Sequence, residues 1–397
     1  MKSTNPGYQP EQQARVLELP LPGPVETEIS ISLVSQICNE ARDGAIPFSR
    51  YMQLALYEPE RGYYSAGKHK FGEGGDFVTA PELGSAFAFC LAEQCQQVLE
   101  ALSGGSILEA GAGQGRLAVD LLLELERRNI LPQRYQILEL AHGLRTIQKE
   151  TFEKHAPHLL SRVEWLDGFP SAFEGVIFGN ELLDAMPVEL FEVQDSKFVR
   201  MDVSCTDNQL HLVPGTPLPV ATTQRFRGLS FPNGYRSEIN LQAEAWIAGA
   251  AKSLSSGILL LIDYGFPREE YYHPQRNTGT MMCHYRHHAH VDPLVLVGLQ
   301  DITAHVDFTA IAESAVENGL DVLGYTSQAA FLMASGLEKL VASSDTSDSR
   351  AHLQLTAQIK KLTNPSEMGE LFKVIAFGRQ FEHPLKGFML QDRRHRL

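Results

Sequence analysis

The chain has 397 residues, enough at roughly 150 per domain for two domains or for one domain with large insertions. With 34 Lys and Arg against 48 Asp and Glu the net charge is -14, and 43% of the residues are hydrophobic and 21% charged, a globular composition that excludes a disordered or fibrous chain. The acidic balance argues against non-specific nucleic-acid binding, which draws on clustered Lys and Arg. The first 28 residues hold five prolines and mixed charges without an apolar run, so no signal peptide is expected. No stretch nears the roughly 18 apolar residues of a membrane helix. The five cysteines (Cys38, Cys90, Cys95, Cys205 and Cys283) are odd in number and lack a C-x-x-C pair, which reads as thiols of a reducing compartment. The expectation is a cytoplasmic protein with no membrane insertion and no nucleic-acid partner.

Residues 1–30 read as an extended N-terminal arm, because Pro20, Pro22 and Pro24 block a helix. Residues 31–104 read as a helical cap interrupted by a glycine-rich loop from Tyr57 to Glu82. The texture then changes. SILEA (106–110), YQILE (135–139), VEWL (163–166), GVIFG (175–179) and GILLLID (257–263) are apolar runs, several without alternation, as expected of strands buried on both faces of a parallel sheet. Leu117, Leu121, Leu122 and Leu125 recur at helical spacing between the first two runs, with Arg127 and Arg128 in the last turn, which makes a βαβ unit. Residues 105–397 therefore form an α/β core, interrupted by a β-rich insertion at about 188–236 and a second insertion at about 267–303. A helix over 308–318, a strand over 321–326, a helix over 327–340 and a strand over 371–379 complete the sheet.

The strongest chemical signal is LEAGAGQGRLA at 108–118, an apolar strand ending at Glu109 and followed by Gly111, Gly113 and Gly115 before a helix. Glycine lets backbone approach a ligand closely and exposes helix N-terminal amides to a negative group. The hydride-transfer fingerprint G-x-G-x-x-G wants a third glycine at 116, where Arg116 stands. The G-x-G-x-G that is present resembles motif I of the S-adenosylmethionine-dependent methyltransferases, in which the helix terminus faces the methionyl end of the cofactor and Glu109 supports its ammonium group; a tight turn whose glycines serve only packing is the bland alternative. Glu139 ends the second strand, 28 residues after Gly111, where a carboxylate accepts both ribose hydroxyls or is merely a solvated strand-end charge. Asp167 follows the third strand, where methyltransferases place a side chain that touches the adenine amino group, although Asp167-Gly168 is also a common turn pair. After the fourth strand come Asn180, Glu181 and Asp184. Two carboxylates one turn apart can hold a guanidinium in a bidentate fork, or Asn180 is an N-cap and Glu181 complements a helix dipole.

Six motifs in order, ALYEPERGYYS (55–65), GGDFVTAPELGSAF (74–87), GNELLDAMPVELF (179–191), IDYGF (262–266), TGTMMCHYRHH (278–288) and GLQDITAHVDF (298–308), resemble the MidA family over about residues 50–380. That family includes the mitochondrial complex I assembly-factor methyltransferases. The resemblance implies a Rossmann-like class I methyltransferase sheet, mostly parallel with an antiparallel last strand, carrying the helical N-terminal cap and β-rich insertions. It also implies S-adenosyl-L-methionine as cofactor and a protein substrate, for the mitochondrial members an arginine in a respiratory-complex subunit. By the same resemblance Asp76, Phe77, Thr79, Pro81 and Glu82 line the cofactor or acceptor cleft, with Thr79 and Pro81 on the cofactor side, the alternative being a structural loop whose Pro81-Glu82 pair starts the next helix. Glu181 is the first choice to orient the guanidinium, with Asp184, Asp76 and Asn180 in support. Cys283, His284, His287, His288 and His290 lack a second ligand pair at structural-zinc spacing, so no metal is expected. A non-enzymatic assembly factor that keeps the fold and an NAD-dependent oxidoreductase are the competing functions.

Overall fold

The structure, a computed structural model, describes residues 7–65, 85–344 and 348–397. The described chain divides into two compact units, one of 85–184, 243–268 and 306–397, the other of 7–65, 185–242 and 269–305.

The first unit is built on seven strands: β1 Ser106–Ala110, β2 Tyr135–Leu138, β3 Val163–Leu166, β4 Phe173–Asn180, β5 Leu254–Phe266, β6 Asp321–Ser327 and β7 Phe372–Arg379. They lie in the order β6-β7-β5-β4-β1-β2-β3. β1 to β5 pair in parallel, while β7 runs antiparallel to both β5 and β6. The apolar runs of β4 and β5 are buried almost throughout, since both faces of a central parallel strand are covered. Helices α1 Ser85–Ala101, α2 Arg116–Arg127, α3 His142–His155, α4 Leu241–Ser253 and α5 Phe308–Glu317 alternate with the strands. Phe87, Cys90 and Leu91 of α1 and Leu117, Leu121, Leu122 and Leu125 of α2 share one core with Val176 and Phe178 of β4. The leucine spacing of α2 thus places one stripe against the sheet, each fully buried leucine contributing about 1.5–3 kcal/mol. α1, assigned from sequence to the cap, belongs to this unit.

The second unit combines the N-terminal helices with both insertions. The first insertion is β-rich as expected, with antiparallel strands Glu189–Gln194, Lys197–Thr206, Gln209–Pro217 and Arg236–Ile239, the second of which also pairs with Ile46–Pro47. Leu33, Ile37, Tyr51 and Met52 share a core with Leu190, Val203, Cys283 and Ile302. The extended arm is corrected: Pro10–Val16 and Pro24–Glu40 are helices, with proline at the start of each. The missing N–H of a first-turn proline costs nothing there, so Pro10 and Pro24 open helices rather than prevent them. Tyr8 packs inside this unit, its hydroxyl accepting from the Val297 amide at 2.8 Å. The reading of all five cysteines as thiols is corrected as well, because Cys38 and Cys205 form a disulfide that closes a sequence separation of 167. Cys90, Cys95 and Cys283 are free and buried.

Candidate active site

β1 delivers the chain into a loop in which Gly111, Gly113 and Gly115 hold φ of 70°, 52° and 79°, left-handed conformations that cost glycine nothing. Gly115 is the N-cap of α2, so the first amides of that helix open onto the loop. A Cβ at Gly113 would meet no described atom within 4 Å, whereas at Gly115 it would meet Gln148 at 3.2 to 3.3 Å. The loop is therefore open at its middle glycine and sealed against α3 at its last. An open left-handed loop over a helix N-terminus suits a cofactor with a carboxylate at one end.

Glu109 lies beneath this loop, 3% exposed, and Tyr135 donates to its Oε2 at 2.6 Å. Burial pushes its carboxyl up to about 7, against the Tyr135 hydrogen bond, with Glu139 adding to the rise. A folded pKa above the unfolded value means that the folded chain holds this proton more tightly, so stability falls as pH climbs from about 4.5 to about 7. Asp263 acts in the same direction. Chemical denaturation of the ligand-free protein is expected to show lower stability at pH 8 than at pH 6, and Glu109→Gln to flatten part of that slope. An unaltered slope in the variant would exclude Glu109 as its source.

At the end of β2 the buried Glu139 carboxylate accepts from the Ala141 amide at 2.9 Å through Oε1 and from Gln148 Nε2 at 3.3 Å through Oε2. Burial raises its carboxyl above the usual range. The Leu140 amide also donates to this carboxylate. Asp167 stands on the rim with its side chain 85% exposed, paired with Arg145 at 2.6 Å. Arg145 also donates to the carbonyls of Glu139 and Leu166, joining the ends of β2 and β3. Neither Arg145 nor Gln148 stands out in the sequence, because each is one polar residue in an amphipathic helix.

The segment after β4 differs from the helical spacing expected of it. Residues 181–187 form no helix, only bends and a turn at 184–185, so Asn180 is no N-cap and the two carboxylates are not stacked on a helical turn. The cause is Asp263 on β5, whose Oδ2 accepts the amides of Leu182, Leu183 and Asp184 at 3.1, 2.8 and 3.3 Å, while its Oδ1 accepts that of Tyr264 at 2.8 Å. The Glu181 amide is held by the Ile262 carbonyl at 2.9 Å, and Glu181 itself sits at φ 48°. A non-glycine residue in that region is strained and persists only where neighbours enforce it. Asn180 donates through Nδ2 to Glu181 Oε1 at 3.2 Å, and its buried Oδ1 has no hydrogen-bond partner among the described residues. Asp184 is 4% exposed, whereas Glu181 is partly open. Asp76, Phe77, Thr79, Pro81 and Glu82 lie outside the described residues.

Two further polar motifs make contacts within the fold. Asp307 caps α5 by accepting from Thr309 and Ala310 and pairs with Arg268. The histidine-rich segment is a hairpin of Met282–Tyr285 and His288–His290, with Arg286 paired to Glu26. Among the described residues no group of three or more His, Cys, Asp or Glu side chains is placed to hold a metal, and no helix is long and apolar enough to cross a membrane.

The antiparallel β7 between β5 and β6 has no counterpart in the 3-2-1-4-5-6 sheet of a dinucleotide-binding domain, and with the glycine loop after β1 it defines a class I S-adenosylmethionine-dependent methyltransferase. A family model described as "Putative S-adenosyl-L-methionine-dependent methyltransferase" matches residues 90–326, and the chain belongs to this family, the MidA-type methyltransferases. A crystal structure from Burkholderia thailandensis bound to S-adenosyl-homocysteine superposes with a TM-score of 0.93 at 45% identity, covering 96% of this chain and 100% of that one. A native crystal structure from the same organism gives 0.90 at 44% identity with the same coverage. Among curated proteins, the Drosophila melanogaster "Protein arginine methyltransferase NDUFAF7 homolog, mitochondrial" is 27% identical over 372 residues, covering 84% of this chain and 81% of that protein. Mus musculus "Protein arginine methyltransferase NDUFAF7, mitochondrial" is 27% identical over 369 residues with the same shares. The cofactor is S-adenosyl-L-methionine. The cytoplasmic expectation is overturned by these relatives, which are mitochondrial proteins by name.

Proposed function

We propose that the protein transfers the methyl group of S-adenosylmethionine to an arginine side chain of a protein substrate, a respiratory-complex subunit being the first candidate. The observation that carries this reading is the strained Glu181 at the end of β4, a partly open side chain whose backbone amide is held by the Ile262 carbonyl and whose carboxylate accepts from Asn180. The names of the curated relatives support the arginine acceptor. Bound cofactor supplies a methyl group already activated on a sulfonium. The chain's own task is to bind and orient. The amides at the start of α2 and the loop of Gly111, Gly113 and Gly115 receive the methionyl end above Glu109; Glu139 accepts the ribose hydroxyls; Asp167 marks the adenine rim. Glu181 accepts the guanidinium N–H groups and turns one nitrogen toward the methyl group, with Asn180, Asp184 and Asp76 supporting it.

Incubation with labelled S-adenosylmethionine and lysate from a strain lacking the protein, followed by hydrolysis, is expected to place label in methylarginine. Glu181→Gln should lower turnover about 100-fold, the usual scale for one orienting group, and leave cofactor affinity within about threefold. Unchanged turnover removes Glu181 from the chemistry. Label on another residue type overturns the arginine acceptor, and intact cofactor binding without any labelled protein favours an assembly factor that has kept the fold.

A further inference from the structure

We infer that Gln148 is a positioning residue that presets Glu139 for the ribose diol and ties it to the glycine loop, an inference that rests on the ribose reading of Glu139. Gln148 is fully buried on α3. Its Nε2 donates to the Gly113 carbonyl at 2.9 Å and to Glu139 Oε2 at 3.3 Å, while its Oε1 accepts from Trp165 Nε1 at 2.8 Å. The indole can only donate, so Trp165 determines which end of the amide is oxygen and turns both Nε2 hydrogens toward the carbonyl and the carboxylate. The Ala141 amide holds the other carboxylate oxygen. Glu139 is thus held at both oxygens, with the Leu140 amide adding a further hydrogen bond. The absence of a side chain at Gly115 lets the Gln148 backbone approach to within 3.3 Å of that Cβ position, which brings the amide into reach. One buried side chain thereby joins the loop after β1, the carboxylate after β2 and the indole of β3. Preorganisation of this kind raises affinity by removing the cost of ordering the acceptor when ligand arrives.

The test is calorimetric titration with S-adenosyl-homocysteine and with its 2′,3′-dideoxy analogue. Wild-type protein should prefer the diol about 100-fold, the scale of two hydrogen bonds to a charged acceptor. Gln148→Met, which keeps the volume and removes the amide, should lower that preference about tenfold while leaving the analogue's own affinity nearly unchanged. Glu139→Gln should lower the preference too, and adding Gln148→Met to it should change the preference no further. Equal weakening of both ligands by Gln148→Met, or full additivity in the double variant, would make Gln148 merely structural and overturn the inference. A preference untouched by Glu139→Gln would overturn the ribose reading itself, a distinct result. If Gln148→Met does not fold, Trp165→Phe leaves Gln148 in place and frees its amide to flip; an unchanged preference there also overturns the inference.

Discussion

Gly113→Val is expected to abolish saturable binding of S-adenosylmethionine. At φ 52° a β-branched residue is strained by about 1–2 kcal/mol or more, and its methyl groups would project into the space that no described atom fills. Most of the core beneath the loop should be little affected, since Leu121, Leu122 and Leu125 pack one or more turns further along α2. Calorimetry should therefore record a loss of affinity of at least about 100-fold with only a small fall in thermal stability. Gly143→Ala is the matched control, a glycine near the start of α3 with equal open space and no left-handed backbone, and should bind like the wild type. NADH should bind neither protein. Normal cofactor binding by Gly113→Val would show that the loop is not where the methionyl end lies.

Asp263→Ala is expected to have the largest effect on stability. It strips the acceptor from the amides of Leu182, Leu183, Asp184 and Tyr264, and an orphaned buried donor costs about 1–3 kcal/mol. The loss of a carboxylate that burial raises to about 7 offsets part of this. A net cost of about 3 kcal/mol is expected, which for a unit of this size lowers the melting temperature by roughly 6–12 °C. The sign of the pH dependence is distinctive. The folded pKa lies above the unfolded one, so the wild-type contribution is fully present below about 4 and fades toward 7, and the penalty of the variant should be larger at pH 5 than at pH 8. Turnover should fall as well, because the segment that holds Glu181 would relax. Asp263→Asn keeps one carbonyl acceptor and should recover part of both properties. An unchanged melting temperature in Asp263→Ala would remove Asp263 as the anchor of the segment after β4.

Much of the catalytic unit is legible along the chain because its signals are local. Runs such as GVIFG and GILLLID show no alternation since both faces of a central strand are buried, and the loop at 111–115 needs glycine wherever its backbone turns left-handed. Even the late strand Phe372–Arg379 is visible as an apolar run. The N-terminal prolines mislead, because the same residue stops a helix from within and opens one at its first position, and only packing decides which. Asn180, Glu181 and Asp184 sit at helical spacing, yet no helix forms there because a carboxylate some eighty positions later captures three amides.

The sequence by itself determined the class of fold and the glycine loop after β1, since these depend on burial periodicity and on glycine's freedom at fixed positions. The tertiary structure alone decided which carboxylate stays open, Glu181 rather than Asp184, and which side chains hold the others in place, Gln148, Arg145, Tyr135 and Asp263. The physical reason is that a hydrogen bond between distant segments leaves no periodic trace in either one. Its partners meet only when the sheet order brings the ends of β1, β2, β4 and β5 to the same edge.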